Sequence, residues 1–489
     1  MYKLALPFVA LLAACVGAPA YQAPTVSVAP AYRVTERRAA LPNVADSCPT
    51  DSTVAMRAAT SVHFSRSVST TPFWRDLHDS VLTALIEEAL RANTDVRIAE
   101  SRLTSTRAAR RLAALDLAPT ITASGSAVRQ QLSMAQLPGA TRQFPEQQLW
   151  DVGFDASWEL DLFGRVSRNV RAQSAFVASA EHDLGDVQVS VAAEVARTYF
   201  ELRGAQQQFA VAQRNADNQR RTVGITQDRL AAGRGTAFDT ERARSVLYLT
   251  LATMPGIEVQ IAQDQHRIAV LLGRAPESLP KELSQAGDPL QLPDTLNVGS
   301  PADLVRRRPD VLRAERQLAA QELLVGAAKT EYLPRLTLGA RVGYAATSFD
   351  SLSRAGTSRL LVGPILSWPL FDLGRVKQRV DLASARADEA QQEHTATVLR
   401  ALEETEVALQ SYDRAHARLA ILDQAVRSSE RAAVLAQQRF EAGLTDFLQV
   451  LDAQRTLLEA ENQLALGHTA AATALVAVYK AVGGTWPLR

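Results

Sequence analysis

The sequence predicts an α+β membrane protein of two duplicated halves, each joining very long helices to a transmembrane β-hairpin, four strands per chain. Three observations predict it. First, the chain repeats itself 210 residues on: residues 158–166 read WELDLFGRV and residues 368–376 read WPLFDLGRV, while QDRLAAG at 227–233 returns as QQRFEAG at 437–443. Second, residues 165–232 and 375–442 contain no proline, long enough for helices of roughly 100 Å at 1.5 Å per residue. Third, the segment before each long helix changes its hydrophobic period from 3.6 to 2.

The elements follow in order. Met1-Tyr2-Lys3 precedes an apolar run from Leu4 to Ala14 that is too short to span a bilayer, so residues 1–14 read as a signal peptide. Leu12-Ala13-Ala14-Cys15 resembles a bacterial lipobox, which implies a lipid on Cys15 as the first mature residue. Val16 after it, rather than Asp, favours the outer membrane; an ordinary cleaved signal with an incidental cysteine is the alternative. With Cys15 acylated, Cys48 has no partner, which excludes a disulfide or a Cys-based metal site and leaves Cys48 inert. Residues 15–72, rich in Ala, Pro, Ser and Thr, read as a lipidated tail lying extended along a surface.

The first repeat, 73–274, opens with a helical stripe of Leu77, Val81, Leu85, Ala89 and Val96, continued with interruptions by Ala99, Leu103 and Leu112 and stopped at Pro119. In 150–160, Val152, Phe154, Ala156, Trp158 and Leu160 share one strand face, while Asp151, Gly153, Asp155, Ser157 and Glu159 share the other. A membrane barrel turns such an apolar face to lipid and the charges to water; a soluble sheet would bury it in a core. The polar hairpin tips fall at 131–147 and 347–359. The long helix then ends at Gly233, where the chain can turn back. Pro255-Gly256 predicts a break or kink in the return helix 237–272. Val187, Val191, Val195 and Leu202 are packing residues.

After a linker at 275–300, the second repeat, 301–489, runs through the same elements. Arg335, Thr337, Gly339, Arg341 and Gly343 alternate with Leu336, Leu338, Ala340, Val342 and Tyr344. The partner strand alternates Leu360, Val362, Pro364, Leu366, Trp368 and Leu370 outward. A long helix to Gly443 and a return helix at 446–482 close the half. Asp151, Asp155, Glu159, Arg335 and Arg341 are the candidates to line the water-filled side. Four strands cannot close a barrel and open edges are not tolerated in lipid, so transmembrane strands require several copies to close one ring.

Composition excludes other classes. Lys and Arg number 53 against 52 Asp and Glu, so no basic footprint points to nucleic acid. No phosphate-binding loop, zinc-protease motif or serine elbow occurs, so no enzyme is expected, and no metal site. His182, His266, His394, His416 and His468 stand singly in helices and read as solvated.

RRRPDVLRAE at 306–315, the paired LFGRV and DLGRV junctions, RFEAGLTDFLQVLDAQR at 439–455 and LIEEALRANTDV at 85–96 resemble the TolC-like outer-membrane efflux proteins, specifically their lipoprotein branch (OprM- or NodT-like). The resemblance runs from Phe73 to Trp486. It implies a homotrimer with a twelve-stranded β-barrel in the outer membrane and a long α-helical barrel in the periplasm. It also implies a passive exit duct for drugs or other small molecules, docked to a periplasmic membrane-fusion adaptor and an inner-membrane transporter of the resistance-nodulation-division (RND) type. The only attached group is the covalent lipid on Cys15, which would sit in the outer membrane's inner leaflet. Asp446, Arg439, Asp452 and Asp239 become gate candidates, with Asp446 the constriction residue. Symmetry would crowd its carboxylates and raise their pKa; alternatively Asp446 only caps the return helix. Arg229, Gly233, Arg439 and Gly443 become the adaptor-docking turns, or else pair only with neighbouring helices. The duct of a type I protein-secretion system and a lipid-anchored periplasmic coiled-coil adaptor are the rival readings.

Overall fold

The structure, a computed structural model, describes residues 28–33, 62–67, 72–131, 133, 142, 145–278, 283–284 and 292–484. The signal peptide, Cys15, Cys48 and most of the first hairpin tip lie outside the described residues. The helices are α1 (Phe73–Asp76), α2 (Ser80–Ala92), α3 (Thr94–Leu115), α4 (Arg165–Ala231), α5 (Ala237–Leu271), α6 (Pro301–Val305), α7 (Pro309–Lys329), α8 (Leu373–Glu441) and α9 (Phe447–Ala481). The strands are β1 (His63–Ser65), β2 (Thr120–Gln130), β3 (Gln147–Leu160), β4 (Thr295–Asn297), β5 (Arg335–Ala346) and β6 (Ser358–Ser367). The predicted duplication is therefore structural: each half runs helix, hairpin, long helix, turn, return helix.

Two compact units emerge. One takes in Arg102–Glu181 and Arg313–Thr395 and holds an antiparallel sheet in the order β2-β3-β5-β6. Its inner pair, β3 and β5, comes from different halves, and Trp158 lies opposite Leu338. Gly153 faces Gly343 in that pair, and a Cβ on either would run into the partner's backbone. No larger residue fits there without parting the strands. Among the described residues β2 and β6 each have one unpaired edge.

The other unit takes in residues 26–101, 182–312 and 396–489 and carries the main apolar core. Val191, Val195 and Leu202 are buried there, with Val187 packed against them, as the helical period predicts. Tyr32, Val62 and Phe64 join the same core, and β1 pairs in parallel with β4. The tail is thus anchored by specific side chains and a strand from the linker, which its composition did not signal.

Three expectations need correction. The opening helical stripe is interrupted at Asn93, which accepts from the backbone N–H of Asp95 at 2.8 Å and starts α3 afresh. Leu112 does not continue the stripe but is 69% exposed. Helix α5 runs unbroken through Pro255, because the stretch is exposed and water can take the carbonyl that proline leaves without a donor. His394 is buried rather than solvated, and burial holds its pKa below the ordinary value.

Candidate functional site

Directly opposed residues of antiparallel strands share a face, so the register sorts the sheet. Asp155 lies opposite Arg341, Glu159 opposite Thr337, Ser157 opposite Gly339 and Gly153 opposite Gly343. Arg341 Nε donates to Asp155 Oδ1 at 2.7 Å, and Ser124 Oγ from β2 donates to Asp155 Oδ2 at 2.7 Å. Arg359 pairs with Asp151. Asp151, Asp155, Glu159, Arg335 and Arg341 therefore fall on one polar face, as predicted. The opposite face pairs Val152 with Tyr344, Phe154 with Val342 and Trp158 with Leu338. It leaves Phe154, Val342, Leu360, Val362 and Leu366 more than half exposed, an apolar surface that water would not tolerate.

Strand β6 is less strictly alternating than expected. Leu361 lies opposite Arg341 and Ile365 opposite Thr337, so two apolar side chains stand on the polar face.

The strand-to-helix junctions explain why the duplicated motif is retained in both halves. Trp158 Nε1 donates to Leu117 O and Trp368 Nε1 to Tyr332 O, each at 3.0 Å. Trp368 is exposed and Trp158 half-buried, and a tryptophan with a satisfied N–H and an accessible ring suits a membrane–water boundary. On the polar side Arg165, the first residue of α4, donates from Nε and Nη2 to both oxygens of Glu159 at 2.8 and 2.6 Å. Glu331 sits between Arg335, at 3.6 Å, and Arg379 of α8.

At the two turns the halves again match. Gly233 and Gly443 adopt φ near +70°, and the following N–H groups of Arg234 and Leu444 return to the carbonyls of Arg229 and Arg439. These are glycine-terminated helix ends, closed where an L side chain would be strained. Thr236 caps α5 in a reciprocal pair with Asp239, and Asp446, at the matching position, caps α9 by accepting from Gln449 N at 3.2 Å. Asp446 thus has the capping role, and its exposed carboxylate remains available to solvent. Asp452 pairs with Arg455 at 3.3 Å.

An apolar knot of Phe440, Phe447, Val450, Leu451 and Ala243 holds the turn region, and the Arg229 guanidinium lies 4.1 Å from the centre of the Phe440 ring. Arg229, expected at a docking turn, is therefore engaged with α8 as well. Sequence reading missed Arg359, Ser124 and Phe440. Arg359 had a usable signal, since it keeps the odd-numbered phase of the polar face.

A duplicated long helical hairpin and a sheet with one ionic and one exposed apolar face are the features of an outer-membrane channel protein. The profile of the outer membrane efflux protein family matches residues 85–274 and 301–484, and the chain belongs to that family. It is 30% identical over 410 residues to the solvent efflux pump outer membrane protein SrpC of Pseudomonas putida, covering 83% of this chain and 86% of that one. It is 29% identical over 417 residues to the pyoverdine export outer membrane protein OpmQ of Pseudomonas aeruginosa, covering 85% and 87%. Among solved structures, the outer-membrane channel OprN superposes with a TM-score of 0.82 at 35% identity over 96% of this chain and 99% of that one. VceC of Vibrio cholerae gives 0.77 at 25% identity over 86% and 99%. The protein is an efflux component of the outer membrane.

Proposed function

We propose that three copies close one twelve-stranded barrel and one helical barrel, forming a passive exit duct for small organic molecules. The carrying observation is the sheet: Asp155–Arg341 on one face, exposed Phe154 and Val342 on the other, and two edges unpaired among the described residues. Lipid tolerates no open edge, so β6 of one copy must pair with β2 of the next. The charged face then lines water, and conduction needs no catalytic group.

The lipid on Cys15 anchors the periplasmic N-terminus to the membrane. A periplasmic adaptor docks at the turns around Gly233 and Gly443, and an RND transporter supplies the energy. In this reading Arg439, Asp239, Asp452 and Asp446 surround the periplasmic opening. The names of SrpC and OpmQ, a solvent pump and a pyoverdine exporter, support small molecules as cargo.

In-cell photocrosslinking from Arg234 and Leu444 tests the assignment. Capture of the adaptor of a proton-driven pump supports it, capture of an adaptor linked to an ATP-driven exporter moves the protein to secretion, and capture of neither overturns docking at the turns. Cys15→Ser should abolish acylation; diacylglycerol on that variant would overturn the anchor.

A further inference from the structure

A cleft between α3 and the early turns of α4 lies outside the site described above. It has a volume of about 290 Å³ and is lined by Arg107, Arg110, Arg111, Ser174 and Val177. Residues 101–115 hold four arginines and no carboxylate. Glu100 and Asp116 flank that segment, and within the cleft Arg107 Nη2 lies 2.8 Å from Glu181 Oε1. Arg110 Nε donates to Ser174 Oγ at 2.9 Å, and among the described residues no carboxylate lies against Arg111.

The cleft faces away from the polar side of the sheet. Arg165, clasped by Glu159, marks the side of α4 continuous with the polar face. Ser174 follows nine residues later, about two and a half turns, and so lies on the opposite side of the helix. The same end of α3 exposes Leu112 and Leu115, 69% and 66% accessible, and Leu117 beyond it receives the Trp158 N–H. Arginines one turn behind exposed leucines, beside an interfacial tryptophan, match the order of layers at a bilayer surface. Arg111 precedes Leu115 by roughly 6 Å of helix, and headgroups extend about 5–8 Å beyond the hydrocarbon.

We propose that this cleft binds the phosphate of an anionic phospholipid in the membrane leaflet next to α3. Arg110 and Arg111 hold the headgroup, while Leu112 and Leu115 lie along the chains. The proposal rests on the reading that β2, β3, β5 and β6 cross the membrane.

The full-length protein, extracted from membranes and exposed to phosphatidylglycerol or phosphatidylcholine at matched amounts, is examined by native mass spectrometry for retained lipid. The protein should retain phosphatidylglycerol preferentially, and the double variant Arg110→Gln/Arg111→Gln should lose that preference by roughly ten-fold. Glu181→Gln, which removes the competing carboxylate, should increase retention; loss of a purely structural ion pair would not. The proposal is overturned by equal retention of both lipids, as when a neighbouring copy covers the cleft, or by an unaltered preference in the double variant. Displacement of the lipid by equimolar inorganic phosphate would also overturn it, leaving a free-anion site. Resistance to alkaline extraction from the outer membrane, measured with Cys15→Ser added so that no lipid anchor holds the chain, reports on the spanning strands separately, so the two readings fail in different measurements.

Discussion

Asn93 and Arg308 perform the same task in the two halves. Asn93 Nδ2 donates to Leu271 O at 2.9 Å, and Arg308 Nη1 donates to Ala481 O at 3.1 Å. Leu271 and Ala481 end the two return helices, 210 residues apart, where a carbonyl has no partner within its own helix; Ala481 O also accepts from Thr405 Oγ1 at 3.2 Å. Arg308 does more, because it also binds Asp310 through two nitrogens at 2.9 and 2.6 Å and Glu404 at 2.8 Å.

Truncation should separate the two residues. Asn93→Ala removes one buried hydrogen bond and a cap, worth about 1–3 kcal/mol. Arg308→Ala breaks the ion pairs with Asp310 and Glu404 and leaves Thr405 as the remaining donor to the Ala481 carbonyl, and should cost about 3–5 kcal/mol. Thermal melts of the detergent-solubilised protein check this; equal shifts would show that the ion pairs add nothing to the carbonyl contact.

Asp446 caps α9 and is also the constriction candidate, and two substitutions divide those roles. Asp446→Asn keeps the capping oxygen and removes the charge, whereas Asp446→Ala removes both and should lower stability by about 1 kcal/mol. Single-channel conductance in planar bilayers should rise with both variants. Unchanged conductance would leave Asp446 a cap alone.

The Arg229–Phe440 contact should register as coupling energy. A double-mutant cycle with Arg229→Gln and Phe440→Leu is expected to give about 0.5–1 kcal/mol, read from unfolding midpoints. A coupling near zero would mean the guanidinium rests over the ring without holding it.

Asp264 supplies a pH dependence. It is buried on α5, with Oδ1 accepting from Gln260 at 2.9 Å and Oδ2 without a partner. Burial pushes its pKa up to about 6, Glu201 adds to the rise, and Gln260 and Arg197 oppose it. An acid raised in the folded state favours folding when protonated. Its contribution is full below the ordinary carboxylate range and disappears as pH rises through about 6. Asp264→Asn should therefore stabilise the protein at pH 7.5 by on the order of 1–2 kcal/mol and leave it nearly unchanged at pH 4. His394, whose pKa is lowered by burial, shifts stability in the opposite sense in both proteins and cancels in the comparison. Equal midpoints of variant and parent at pH 7.5 would remove Asp264 from the account.

The duplication and alternation made most of this fold legible. Offsets of 210 residues placed both tryptophans, both turn glycines and both return helices before any contact was known. Period-2 alternation assigned Asp151, Asp155 and Arg341 to one face because one-residue slips would reverse every side chain. What escaped were features carried by single side chains in long-range contact. The Asn93 break was signalled by Asn-Thr-Asp, an N-cap sequence within an apparently continuous stripe. The burial of Tyr32 and the approach of Arg229 to Phe440 have no local signature, since each depends on elements far apart in sequence.

The pairing of β3 with β5 sets the order in which this protein can mature. Trp158 meets Leu338 across the join, so neither half owns a complete sheet, and nearly two hundred residues must be available before the central ladder forms. Such distant pairing is slow, since the intervening loop loses entropy before any ladder bond forms. A chain stopped after its first repeat would hold one hairpin with an adhesive margin on either side. Such a fragment should pair with other chains or be degraded rather than form a smaller channel.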